Sequence, residues 1–108
     1  MPKYQVEILL AAWQDIDKIS DFHLKMVGSA SAEKITDNIL DTLAKLASFP
    51  YMGAQHPDPE LARLEYRKVI CGDYVCIYKV IEDHVYVYRI VNGKTDYPKL
   101  LKWGPFPE

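Results

Sequence analysis

Cysteine and glycine are scarce, with two and five respectively in 108 residues. Cys71 and Cys76 are not spaced as CxxC and have no clustered histidines near them. That excludes a structural zinc site and a disulfide-built scaffold, and both thiols read as reduced strand residues. The few glycines compose no Walker loop and no dinucleotide fingerprint, and neither HExxH nor GxSxG occurs, so no cofactor is expected. Long apolar runs are missing too. Nothing approaches the roughly 18 to 20 residues of a membrane span, and no basic segment leads into a hydrophobic signal core, so the expected location is cytoplasmic, with no membrane partner. An excess of positive charge is also lacking: 13 basic residues face 15 acidic ones, and the sequence pI is about 5.9. Dedicated nucleic-acid binders usually exceed about 9.

What is present suits one folded domain over residues 1–108, since 49% of residues are hydrophobic and 26% charged. Charge is uneven along the chain. Residues 1–60 hold five lysines against nine acids, and residues 61–108 hold eight basic residues against six acids. The second half is therefore the one suited to an anionic partner.

Lys3 to Leu10 alternates, with Tyr4, Val6, Ile8 and Leu10 on one side, as in a half-buried strand. From Ala11 to Val27 the spacing turns helical through Ile16, Ile19, Phe22, His23 and Met26, and Gly28 supplies a stop. Ser29 or Ser31 is placed to cap a second helix, running to about Ser48 with Ala32, Ile35, Ile39, Leu43, Leu46 and Ala47 in one stripe. Phe49-Pro50 ends it, and the stretch to Leu61 reads as a loop. Three strands follow at Tyr66 to Cys71, Tyr74 to Ile81 and His84 to Val91, joined by Gly72-Asp73 and Glu82-Asp83. The expected fold is α+β in the order β-α-α-β-β-β, a helical hairpin packed on a mostly antiparallel four-stranded sheet.

Two-residue loops set Arg67 opposite Tyr78, Tyr78 opposite Val87, Val69 opposite Cys76 and Cys76 opposite Arg89. Arg67, Tyr74, Tyr78 and Arg89 then share an open face that can hold phosphate oxygens and stack bases, while Ile70, Val75, Ile77, Ile81 and Ile90 face the helices. A single bulge would turn one arginine to the opposite side. Among the histidines, His23 falls near the helical stripe, His56 in the proline-rich loop and His84 in a hairpin turn, each without a visible catalytic partner. Trp13 reads as core, and the terminal Trp103 to Glu108 segment as a stretch that packs back or meets a partner.

Several pieces of this chain resemble the RelE/ParE toxins of bacterial type II toxin-antitoxin systems, in particular the plasmid-stabilisation branch. They are Phe49-Pro50-Tyr51-Met52-Gly53, Tyr66-Arg67-Lys68, Tyr74 with Tyr78, and Arg89 through Tyr97. The resemblance spans Tyr4 to about Leu101 and implies a toxin neutralised by a cognate antitoxin, with a homodimer left open. RelE-like members cut mRNA on the ribosome and ParE-like members poison DNA gyrase. For a metal-independent endoribonuclease the resemblance implies Arg67, Arg89 and Tyr97 as catalytic residues, with Lys68, Tyr74, Tyr78 and Lys94 binding the target or RNA. The chain departs from the RelE pattern, with Val75 where an arginine follows the strand tyrosine, Thr95 at a basic position and Tyr97 only loosely matching the C-terminal tyrosine. These losses point to the ParE-like reading, with mRNA cleavage by a reduced set and a homologue that only binds antitoxin as alternatives.

Overall fold

The computed structural model describes residues 3–95 and 97–98. Strand β1 (Gln5–Ile8) leads into helices α1 (Leu10–Met26) and α2 (Ser29–Lys45). After them come β2 (Ala54–Gln55), α3 (Pro59–Arg63), β3 (Arg67–Cys71), β4 (Tyr74–Ile81) and β5 (His84–Asn92). The sheet has five strands in the order β1-β5-β4-β3-β2, with β1 parallel to β5 and the other pairs antiparallel. Among the described residues, no helix is long and apolar enough to cross a membrane.

The first strand is shorter than expected because Leu10 already belongs to α1 and is 72% exposed. Along α1 the buried positions are Ala12, Asp15, Ile16 and Ile19, while Phe22 and Met26 run off the body into solvent. Trp13, expected in the core, is 44% exposed. Neither Ser29 nor Ser31 caps α2. Gly28 holds the N-cap position at φ 141°, a conformation open chiefly to glycine, and the Ser31 hydroxyl turns instead to His23. The α2 stripe packs as its spacing implies, with Ala32, Ile39, Leu43 and Leu46 buried.

The proline-rich segment contains two elements that its composition conceals. Two-residue β2 pairs Ala54 with Lys68 and Gln55 with Arg67. Helix α3 starts on an Asp58 carboxylate that accepts from the backbone N–H groups of Glu60 (3.0 Å) and Leu61 (3.1 Å), with Pro59 in the first turn. It ends with Glu65 left-handed at φ 68°, Glu65 N–H donating to Ala62 C=O and Tyr66 N–H to Leu61 C=O. This is a Schellman closure, completed by apolar packing of Tyr66 with Leu61.

Both hairpins have the expected two-residue loops, with positive φ at Gly72 (59°) and Glu82 (55°). The expected pairs Arg67 with Tyr78, Val69 with Cys76 and Tyr78 with Val87 all form. A register shift at Ile77/Tyr78 then breaks the pattern, so Cys76 lies opposite Ile90 and Arg89 opposite Ile77. The facing assignment is reversed along β4, although Ile90 faces the helices as expected. Tyr74, Cys76 and Tyr78 lie in the core beneath the helices with Val85, Val87 and Ile90. Val75 and Ile77 pack on the other side with Leu61, Tyr66, Tyr88 and Tyr97, whereas Ile70 and Ile81 are 62% and 43% exposed. Six consecutive residues of β4, Tyr74 to Lys79, are buried, so alternation there carries no inside-outside contrast.

The turn after α2 is fastened from below. The Tyr78 hydroxyl donates to Pro50 C=O (2.8 Å) and accepts from Gly53 N–H (3.0 Å), and Tyr78 is fully buried. Gly53 sits so close that an added Cβ would press on the Lys68 carbonyl oxygen and stand 2.6 Å from the Tyr78 hydroxyl. Replacing Tyr78 with Phe strands one donor and one acceptor, so Tyr78→Phe should lower unfolding free energy by about 1–3 kcal/mol in urea titration. An unchanged midpoint would show that the turn is held by other contacts.

Candidate functional site

Arg67 stands on β3 beside the edge strand β2, half-buried. Its Nε donates to Gly53 C=O (2.9 Å), and its guanidinium lies 5.1 Å from the centre of the Tyr51 ring. The Tyr78 hydroxyl fixes that same turn, so a buried phenol sets the position of an accessible cation through Gly53. With Gln55, Glu65 and Val80, these two residues line a cleft of about 310 Å³.

Arg89 is held elsewhere. Its Nε and Nη2 donate to Asp15 Oδ2 (2.6 Å) and Oδ1 (2.9 Å), a two-pronged pair. Asp15 is nearly buried, and Oδ2 also accepts from Ile90 N–H (2.9 Å). The cause is topological. β1 stops opposite Val87, so that among the described residues no strand continues along that edge of β5, and the α1 carboxylate takes up the Ile90 N–H. The Asp15 hydrogen bonds push the Arg89 pKa further up, burial opposes them, and the Asp15 charge adds to the rise. The arginine is always charged, and here that charge is offset by an internal carboxylate.

The tyrosines are inside the fold. Tyr74 meets His23 Nε2 at 3.1 Å, and His23 Nδ1 meets Ser31 at 3.0 Å, so one imidazole ties α1, α2 and β4 together. Burial, then the charge of Asp73, pushes the Tyr74 phenol pKa up. Tyr97 is buried on the other side of the sheet, with its hydroxyl 2.8 Å from His56 Nε2. Because Asp58 N–H donates to His56 Nδ1 (3.0 Å), the neutral ring carries its proton on Nε2 and donates it to Tyr97. Burial, followed by Asp58, pushes the Tyr97 pKa up.

Lys68 is half-buried on β3, its side chain on the opposite face from Arg67, paired with Ile77. Lys94 is exposed in a turn where its N–H donates to the Asn92 side chain (2.9 Å). The structure therefore does not bring Arg67, Arg89, Tyr74, Tyr78 and Tyr97 to one surface. It brings Arg67 together with Tyr51, Gln55 and Glu65, three residues that pattern reading did not single out for the site. Only Asp15 left a legible trace, an acid in phase with Ala12, Ile16 and Ile19 on the buried side of α1.

Comparison with known proteins follows the same lines. The profile of a family described as the ParE toxin of type II toxin-antitoxin system, parDE, matches residues 6–97. Among solved structures, the chromosomal ParDE toxin-antitoxin system from P. aeruginosa superposes with a TM-score of 0.71 at 17% identity, covering 83% of this chain and 96% of that one. The toxin-antitoxin complex RelBE2 from Mycobacterium tuberculosis gives 0.63 at 17% identity, covering 83% and 98%. A mutant of the E. coli toxin RelE in the free state gives 0.62 at 16% identity, covering 93% and 96%. At such identities the likeness is one of fold. No curated protein matches the sequence.

The Asp15–Arg89 pair is testable as a structural element. Asp15→Ala removes the acceptor of the Ile90 N–H and the two-pronged carboxylate from the guanidinium, and should cost about 2–3 kcal/mol by chemical denaturation. Arg89→Ala should cost less, because Asp15 keeps its bond to Ile90 and the arginine is partly exposed. Equal and negligible losses would show that the pair does not fasten α1 to β5.

Proposed function

Because this chain belongs to the family of ParE toxins of type II toxin-antitoxin systems, we propose that it is a growth inhibitor acting by protein-protein contact, with DNA gyrase as its target and a cognate antitoxin as its neutraliser. The observation that carries this reading is the two-pronged hold of Asp15 on Arg89. Metal-free RNA cleavage needs cations aimed at the charge that develops on phosphorus. Here one arginine is neutralised from within, Val75 occupies a site where the RelE pattern has an arginine, and Arg67 and Lys68 project from opposite faces of β3. The ParDE and RelBE2 structures are toxin-antitoxin assemblies, which supports an antitoxin partner.

Ribosome-dependent mRNA cleavage is the second reading, favoured by one feature. The His56–Tyr97 contact couples an imidazole to a phenol at 2.8 Å, a pair suited to moving a proton. Both residues are buried, and Leu61 and Tyr66 pack around the phenol, which argues for a structural use.

Induced expression of the chain alone should arrest bacterial growth, and co-expression of the antitoxin should restore it. Purified chain should inhibit supercoiling of relaxed plasmid by gyrase while leaving the 3′ ends of ribosome-bound mRNA unchanged in primer extension. New mRNA ends with unimpaired supercoiling would transfer the assignment to the ribosome. Arg67→Ala should weaken growth arrest roughly tenfold in inducer dose, about 1.4 kcal/mol of lost contact, while Lys94→Ala changes it little.

A further inference from the structure

Among the described residues strand β2 is the last in the sheet, and no strand pairs with its outer edge. His56 N–H donates to Tyr66 C=O (3.0 Å), which makes that pair a hydrogen-bonded one. Antiparallel ladders alternate, so the neighbouring pair of Gln55 with Arg67 is non-bonded, and the N–H and C=O of Gln55 point away from β3 towards solvent. Next to this free backbone position opens the cleft of about 310 Å³. Arg67 spends its Nε on Gly53 C=O, and among the described residues its two Nη groups have no acceptor. Tyr51, 59% exposed, offers a ring at the mouth.

We propose that this cleft is a docking site for an extended segment of a partner polypeptide that presents one acidic side chain to it. The segment makes one backbone bridge to Gln55 and sets a carboxylate on the free end of the Arg67 guanidinium. A strand added beside β2 lies about 10 Å from β3, a span that a glutamate and an arginine side chain close together. Such edge addition draws affinity from the main chain and specificity from alternate side chains.

Glu65 refines the choice. It shares the cleft two positions before Arg67, held left-handed by the closure of α3. A partner residue two places from the acid lies on the same face of the added strand and meets this carboxylate, so a basic or neutral side chain fits there. A nucleic-acid strand carries a negative charge at every step and would meet repulsion at Glu65. The pattern is thus acid, any residue, base or neutral residue, in extended conformation. The inference rests on the toxin-antitoxin reading only for the existence of such a partner.

The probe is a fluorescein-labelled peptide, Thr-Val-Glu-Val-Lys-Val-Thr, titrated with the full chain by fluorescence anisotropy. Saturable binding is expected, weakened at least roughly tenfold by Arg67→Gln, the scale of one charge-assisted contact. Gln55→Pro removes an N–H that makes no ladder bond, and should weaken binding roughly fivefold. Should that variant fail to fold by circular dichroism, the same peptide N-methylated along its backbone carries the test and should bind as weakly. Full affinity for Arg67→Gln, full affinity of the N-methylated peptide, or displacement by oligouridylate at the concentration at which unlabelled peptide competes would each overturn the site. A chain that ignores the peptide yet still arrests growth and inhibits gyrase overturns this docking site alone and leaves the toxin assignment standing.

Discussion

A carboxylate on the first helix finishes the edge of a sheet that its own first strand leaves incomplete. β1 covers β5 only as far as Val87, and an N–H left bare and buried beyond that point would cost on the order of 1–3 kcal/mol. Asp15 supplies the acceptor for Ile90 and, with its remaining capacity, grips Arg89. Three consequences follow from this contact. The helical hairpin is registered on the sheet, the arginine beside the register shift is turned to α1, and the cation that a ribonuclease reading needs is already neutralised.

The second organising contact is the Tyr78 hydroxyl beneath the turn that follows α2. It satisfies Pro50 and Gly53 at once, and Gly53 in turn receives Arg67. A chain of two hydrogen bonds through Gly53 thereby leads from the centre of the core to a half-buried cation at the sheet margin. Glycine at 53 is a steric requirement, because the Lys68 backbone and the phenol leave no room for a methyl group. The aromatic at 51 then lies over the guanidinium, which combines ring contact with charge.

Both faces of the central sheet are packed, which is what separates this structure from a reading in which one face stays open. The helices cover Tyr74, Cys76 and Tyr78, while Leu61 of α3 and Tyr97 cover Val75, Ile77 and Tyr88. Burial raises the Cys76 thiol to about 12, consistent with an inert core thiol and with no part in chemistry. Polar chemistry is left to the sheet margin, where the cleft at Arg67 lies.

Element order, the two hairpin loops and the pairing of Arg67 with Tyr78 were legible in the amino-acid sequence, because these features rest on local periodicity and on turns of two residues. The resemblance carried by Phe49 to Gly53 also pointed to a turn, which the structure explains through Tyr78. Short β2 and α3 were not legible as elements, since two and five residues are too few for a periodic signal, and the whole stretch read as a loop. Which face of the sheet the helices would cover, where the ladder would slip, and which acid would claim Arg89 were decided only in three dimensions. β4 is buried on both sides from Tyr74 to Lys79 and so lacks an exposed face to orient it, and Asp15 meets Arg89 across 74 residues of chain, a distance at which no local pattern can choose a partner.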